Sequence, residues 1–243
     1  MTTVDLPVSP IERVLFVPQA DALVVADLHL GKAADSSIDA PIDDGADVRD
    51  RLESLLARTD PDTVVVAGDV LHSFRGVPRG VERELSALED CVDAAGASFV
   101  VTPGNHDAML EDVFDGPTAS EYRLADGETV VCHGHERPEL EATRYVVGHD
   151  HPALSVEGRK LPCFLYGPDA ADGVGDEAQA EADVVMLPAF TRLAAGATVN
   201  GMRARDFQSP LVSDADRFHP AVWDDSSEEP LWFPRLGECR RLL

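Results

Sequence analysis

Short β-branched apolar runs alternate with amphipathic stretches over the first half of the chain. Val14-Leu15-Phe16-Val17 and Leu23-Val24-Val25-Ala26 have the length and composition of strands. From Asp47 to Arg58 the apolar positions Val48, Leu52, Leu55 and Leu56 recur at helical spacing. Thr63 to Ala67 is a continuous apolar run of buried-strand length. A second helical pattern runs from about Arg79 to Ala95, where Gly96 stops it, and Ser98 to Thr102 follows as a strand. The order β-β-α-β-α-β predicts a sheet with helices packed on its faces.

Beyond this point helical periodicity is scarce. Thr129 to Cys132, Tyr145 to Val147, Leu161 to Tyr166 and Val184 to Leu187 read as short strands, and predict a second, mainly β layer facing the first within one domain spanning residues 1–243. Two stretches interrupt the pattern. Residues from Pro168 to Asp183 are rich in Gly, Ala and acid and predict a surface loop. From about Arg205 to Glu229 the chain is polar and predicts an irregular excursion before a last strand near Leu231 to Phe233.

Composition narrows the class. A chain of 243 residues suits one domain that buries roughly 70 to 75 % of its unfolded surface. Its apolar runs fall far short of the ~20 residues of a membrane span. The start, Met1-Thr2-Thr3-Val4-Asp5, has neither the basic residues nor the apolar core of a secretory signal, so a cytoplasmic protein is expected. Four cysteines, at 91, 132, 163 and 239, form no Cys-x-x-Cys pair and are expected as free, mostly buried thiols.

Charge is the strongest compositional signal. There are 45 acidic against 20 basic residues, and only Lys32 and Lys160 are lysines. Such a surface repels nucleic acid and anionic lipid in dilute buffer. The acid is spread among well-patterned elements rather than gathered in a tail, so adaptation to molar salt is the simplest cause. At that ionic strength the Debye length falls to about 3 Å and self-repulsion is screened.

The candidate chemistry lies just after the strand-like runs. Seven of the eight histidines fall in clusters there, where loops beyond strand carboxyl ends gather into sites. Asp27-Leu28-His29 follows the strand ending at Ala26, and alone is equally well explained as a loop carboxylate beside a surface histidine. Gly68-Asp69-Val70 is by itself an ordinary turn, although one carboxylate can bridge two cations. Gly104-Asn105-His106-Asp107 places an amide, an imidazole and a carboxylate together after a strand; a polar turn with Asn105 as a helix cap is its structural alternative. His133-Gly134-His135 and Gly148-His149-Asp150-His151 complete the set. In an extended segment His149 and His151 would point to the same side.

In that order these five motifs resemble the pattern of the calcineurin-like metallophosphoesterases. The wording of Val25 to Lys32, Gly68 to Ser73, Leu161-Pro162-Cys163-Phe164 and Leu187-Pro188-Ala189-Phe190 is further similar to the DNA-ligase-associated (PdeM-type) branch and to archaeal SbcD-related phosphoesterases. The resemblance implies a four-layer α/β/β/α sandwich and a binuclear centre. One ion takes Asp27, His29 and His151, the other Asn105, His133 and His149, and Asp69 bridges. Oxygen ligands mixed with imidazoles suit borderline divalent ions, Mn²⁺ first, with Fe²⁺, Zn²⁺ or Ni²⁺ as alternatives. The implied reaction is phosphodiester hydrolysis by a metal-bridging hydroxide, in a nuclease or cyclic-nucleotide enzyme linked to DNA repair.

By the same resemblance His106 donates to the phosphate or leaving oxygen, and Asp107 orients it. Lys32, His72, Arg75 and His135 are candidates for substrate or outer contacts, with exposed polar residues as the equal alternative. His219 is expected at the surface, and Trp223 and Trp232 at a core edge. Partners implied are a phosphate ester, with nucleic acid among the candidates, no membrane, and functional association with a DNA ligase or helicase. A phosphomonoesterase with the same site is the rival within enzymes. A non-catalytic scaffold is the rival from another class, and the complete motif set argues against it.

Adaptation to molar salt predicts that the melting temperature rises between low-salt buffer and molar KCl. A thermal melt that is flat or falling over that range would remove the halophilic explanation of the charge.

Overall fold

The computed structural model describes residues 6–35, 44–72, 76–171 and 181–240. The first sheet contains β1 (Ser9–Ile11), β2 (Val14–Val17), β3 (Ala22–Val25), β4 (Thr63–Val66) and β5 (Ser98–Val101), in that spatial order. Strands β3, β4 and β5 are parallel, while β1 and β2 are added antiparallel at one edge. Helices α1 (Asp44–Thr59) and α2 (Val81–Ala94) provide the crossovers between the parallel strands.

Strand period decides what each face meets. Val64 and Val66 pack with Val48, Leu52 and Leu55 of α1 and with Leu85 and Leu88 of α2. Val65 and Ala67 point the other way, into a layer shared with the second sheet. Buried on both faces, β4 is therefore a continuous apolar run rather than an alternating one.

The second sheet is built from β6 (Glu121–Arg123), β7 (Thr129–Cys132), β8 (Arg144–Val147), β9 (Pro152–Val156), β10 (Arg159–Ala171), β11 (Ala182–Met186), β12 (Ala197–Thr198), β13 (His219–Asp224) and β14 (Glu229–Trp232). Strands β7, β8 and β11 are parallel neighbours. Val131, Val146, Phe164, Val185 and Leu187 face the first sheet across a shared apolar core. The opposite face, including Tyr145, Leu165 and Met186, is covered by Val199, Phe207, Leu211, Phe218 and Leu236.

The α/β class with two facing sheets and flanking helices agrees with the sequence reading. Several boundaries do not. The fourth layer consists of 3-10 turns at Val199–Gly201, Ala204–Asp206 and Ala215–Arg217 and the four-residue α3 (Leu236–Cys239), rather than long helices. Its residues carry no 3.6 period, so the second sheet is capped by side chains inserted from turns. β10 runs on through Ala171, taking in the first residues of the expected acidic loop. Residues 172–180 of that loop lie outside the described residues.

The stretch expected to be irregular contains β13, which pairs with β10 and β14. His219 is accordingly half-buried: Nδ1 donates to the Phe233 carbonyl at 3.4 Å and Nε2 accepts from Arg235 Nε at 3.2 Å. Cys132, Cys163 and Cys239 are buried free thiols and Cys91 is half-buried. Trp232 lies at the edge of the inter-sheet core against Tyr166, and Trp223 is half-buried. Among the described residues no helix is long and apolar enough to cross a membrane.

Candidate metal centre

Parallel strands from both sheets bring their carboxyl ends to one edge. Asp27 follows β3, Asp69 follows β4 and Asn105 follows β5, while His133 follows β7 and His149 follows β8. The β3 and β4 loops stay paired beyond the strands: Asp27 N donates to the Gly68 carbonyl (3.0 Å), His29 N to that of Asp69 (2.9 Å) and Leu30 N to that of Val70 (2.8 Å). Pairing of this kind fixes the ligand side chains to the rigid part of the fold.

The conformation that aims these side chains is unusual for non-glycine residues. Asp27, His29, Asp69, His149 and His151 all have left-handed φ, between 45° and 71°. Each costs of order 1–3 kcal/mol, a cost seen where function over-determines the backbone. This corrects the reading of His149 and His151 as neighbours along an extended segment. They turn to different partners: His149 Nδ1 lies 3.1 Å from His133 Nε2, and His151 Nε2 lies 3.2 Å from His29 Nε2.

Two groups of donor atoms result. Asp27, His29, Asp69 and His151 each offer an atom within 4.8 Å of the others and could hold an ion. On the other side, His133 Nε2 faces Asn105 Oδ1 at 3.1 Å, His149 Nδ1 at 3.1 Å and Asp69 Oδ1 at 3.4 Å. His133 Nδ1 donates to the Ala67 carbonyl at 3.1 Å, which leaves the Nε2 lone pair turned inward. Asp69 is turned to both groups, with Oδ1 towards His133 and Oδ2 3.9 Å from His29 Nε2.

Electrostatics agree with cation binding. Burial, reinforced by the charges of His151 and Lys32, pushes His29 down to about 2, and burial pushes His133 and His149 down to about 4. These rings are neutral at pH 7 and available as ligands. Burial pulls His151 down as well, but its hydrogen bond to Asp27 and that carboxylate's charge prevail and raise it. Burial also raises Asp69. Points ringed by inward lone pairs and buried carboxylates are what a divalent cation requires, so this donor set fits metal.

His106 sits beside the centre, its backbone N donating to Asp69 Oδ1 at 3.0 Å and its Nε2 3.9 Å from Oδ2. Asp107 does not orient that ring. Its buried carboxylate accepts from the backbone N–H of Gly104, Leu71 and Val70 at 2.8, 2.8 and 3.2 Å, tying the β5 loop to the β4 loop. Burial raises it to about 6 against those hydrogen bonds. The His106 ring is held instead by the His72 carbonyl, to which Nδ1 donates at 3.0 Å.

The remaining candidates divide by position. His72 stacks on His106 with ring centroids 6.0 Å apart, and His135 lies 5.2 Å from His133 by the same measure. Lys32 is half-buried, and burial lowers it against the pull of Asp69. Arg75 lies outside the described residues.

Two arginines that carried no sequence signal support the centre from behind. Arg13 Nη1 donates to the carbonyls of Ala189 and Thr191 at 3.0 and 2.7 Å, and Arg51 Nη1 to that of Phe190 at 2.7 Å. Phe190 N and Thr191 N in turn donate to the carbonyls of Ala26 and Asp27. Clusters drawn from positions 13, 51 and 190 cannot be read along the chain.

Two glycines are set by close approach. A Cβ on Gly68 would lie 2.2 Å from His133 Nδ1, and one on Gly104 2.3 Å from Asp69 Oδ1. Gly68 also has φ +75°, where a side chain costs about 1–2 kcal/mol. Gly68→Ala is therefore expected to displace the His133 ring and lose most bound divalent metal, measured by elemental analysis after dialysis. An alanine variant that retains wild-type metal would show that the ring is free to yield.

The calcineurin-like phosphoesterase family model matches residues 21–161. No curated protein is a match. Among solved structures, the crystal structure of Pseudomonas putida nuclease MPE is similar over 90 % of this chain and 91 % of that one, with 24 % identity and a TM-score of 0.58. Yfce, a phosphoesterase from E. coli, aligns over 88 % of this chain and 98 % of its own, with 16 % identity and a TM-score of 0.41. The family match covers more than half of the sequence and takes in every motif from Asp27 to His151. With that match and a cleft edged by buried carboxylates and neutral imidazoles, the chain belongs to the calcineurin-like phosphoesterases, metal-dependent hydrolases of phosphate esters.

Proposed function

We propose that this chain is a two-ion phosphodiesterase, with a polynucleotide as the substrate to try first. The observation that carries the reading is Asp69, whose two carboxylate oxygens face two separate groups of donors. Asp27, His29 and His151 would hold one divalent ion and Asn105, His133 and His149 the other, with Asp69 shared between them. Such a pair supplies Lewis acidity and lowers the pKa of water towards neutrality. Four imidazoles beside carboxylate and amide oxygens favour Mn²⁺ or a similar borderline ion over Mg²⁺ or Ca²⁺.

The protein's own groups then position and protonate. Asn105 is exposed at the cleft and brings an uncharged oxygen, so it adds no repulsion against a phosphate. With Nδ1–H committed to the His72 carbonyl, the His106 atom that takes up and hands over a proton is Nε2, on the side of Asp69. In this reading it protonates the leaving oxygen. Asp107 acts one step back, fixing the loop that carries Asn105 and His106 through three backbone donors.

The diester reading draws on the resemblance to the ligase-associated branch and on the nuclease from Pseudomonas putida that shares the fold. A role in DNA repair follows from the same resemblance. The acidic surface does not oppose a polyanionic substrate at molar salt, where its field is screened within about 3 Å.

In molar KCl, bis-p-nitrophenyl phosphate is expected to be cleaved faster than p-nitrophenyl phosphate, with Mn²⁺ present and not with EDTA. Preference for the monoester would make the protein a phosphomonoesterase, and absence of turnover with any divalent metal would leave a scaffold. His106→Ala should keep its metal and lose roughly 10² or more in kcat, the usual size of general acid catalysis. Full activity in that variant would remove His106 from the reaction.

A further inference from the structure

The segment around Gln208 lies in the polar stretch to which neither the motifs nor the mechanism gives a task, yet the structure pins it to the ligand loop. Asp150, between His149 and His151, is 4 % exposed. Its two oxygens accept from Gln208 N at 2.8 Å and Ser209 N at 3.0 Å. Phe207 and Leu211 anchor the same segment in the core beneath the second sheet, and Ser209 is buried. Arg137 reaches across from the loop after β7 to the Pro210 carbonyl at 3.4 Å. Between these anchors Gln208 is exposed, and it lines the cleft of about 300 Å³ that also holds Asn105, His106, His149 and His151.

A residue held in this way is expensive to place unless its side chain is used. These attachments order the backbone on either side of one amide that itself faces solvent. Another part of the cleft lining is tied to the same loop, with Ala197 N donating to the His151 carbonyl at 2.8 Å and Gly196 so close that a Cβ would lie 2.7 Å from that oxygen. A cleft of this volume is at the small end for ligand sites, enough for the ester and one substituent. That substituent must meet the rim formed by Gln208, Gly196 and Ala197.

We infer that Gln208 is a specificity-determining residue that hydrogen-bonds the organic leaving group of the ester, and that Asp150 is the positioning residue that holds it there. An uncharged amide both donates and accepts, so it suits a leaving group with hydroxyl or amide edges, such as a nucleoside, over an apolar aryl group. Lacking charge, it does not compete for metal and adds no repulsion against phosphate. The inference rests on the phosphoester reading above but not on whether the ester is a diester or a monoester.

The test is the ratio of two kcat/KM values, each measured on the full chain with Mn²⁺ in molar KCl. For a diesterase the pair is thymidylyl-3′,5′-thymidine against bis-p-nitrophenyl phosphate; for a monoesterase it is thymidine 5′-monophosphate against p-nitrophenyl phosphate. Gln208→Ala is expected to lower the nucleoside-to-aryl ratio about three- to tenfold, the size of one hydrogen bond between neutral groups, at unchanged metal content. Asp150→Ala should move the ratio in the same direction, and the double variant no further than the larger single one.

A ratio unmoved by Gln208→Ala overturns the inference, and so does a wild type that cleaves the aryl ester but not its nucleoside counterpart. Additive effects of the two substitutions would overturn the positioning role of Asp150 alone. Should Asp150→Ala fail to fold, Gln208→Ala still decides the main point. A wild type that turns over none of the four esters would sink the phosphoester reading itself, and this inference with it.

Discussion

Burying Asp27 and Asp69 among imidazoles is the constraint on which the rest of this structure depends. A carboxylate that is 0 or 2 % exposed loses its water, and every compensating donor must be built into the fold. Backbone groups supply part of it: His149 N lies 3.2 Å from an Asp27 oxygen, and His106 N lies 3.0 Å from an Asp69 oxygen. To turn those N–H groups inward while the side chains converge, the backbone adopts left-handed φ at five of the candidate ligands. Such strain persists only if neighbouring structure over-determines it. Continued pairing of the β3 and β4 loops, the three donors onto Asp107 and the arginine-held carbonyls of residues 189 to 191 are that structure.

How much of this is legible in the sequence follows from what each feature leaves in composition. Histidines are few, and the order of the motifs after predicted strands marks Asp27, His29, Asp69, Asn105, His133, His149 and His151 before any coordinates are known. Apolar runs mark the central strands equally well, because β3 and β4 are buried on both faces. Left-handed φ at Asp or His has no such mark, since the same residue types occupy ordinary turns. Asp107 shows the limit well. A carboxylate next to a histidine suggests an orienting pair, whereas burial and three nearby amides make it a strut for the loop.

The second half of the chain leaves weaker marks in its sequence for a related reason. Strand β13 pairs with β10, distant in sequence, while β6 and β12 have only three and two residues. No local period betrays a strand of that length. The outer layer over the second sheet likewise consists of isolated apolar residues, Phe207, Leu211 and Leu236 among them, inserted from turns, so its helical pattern is absent because long helices are absent.

This division of labour bears on how substrate range can differ at a fixed metal centre. All seven candidate ligands sit on loops that continue parallel strands, where a shift of one residue would disturb both sheets. Gly196, Ala197 and Gln208 sit on turns attached to that framework through His151 and Asp150. Changes in the turns alter what the leaving group meets while the donors to metal stay in place, provided that the two attachments are kept. Asp150 is therefore more constrained than Gln208, although it touches no substrate: losing the amide changes one contact, whereas losing the carboxylate leaves two backbone donors, one of them buried at Ser209, without their acceptor.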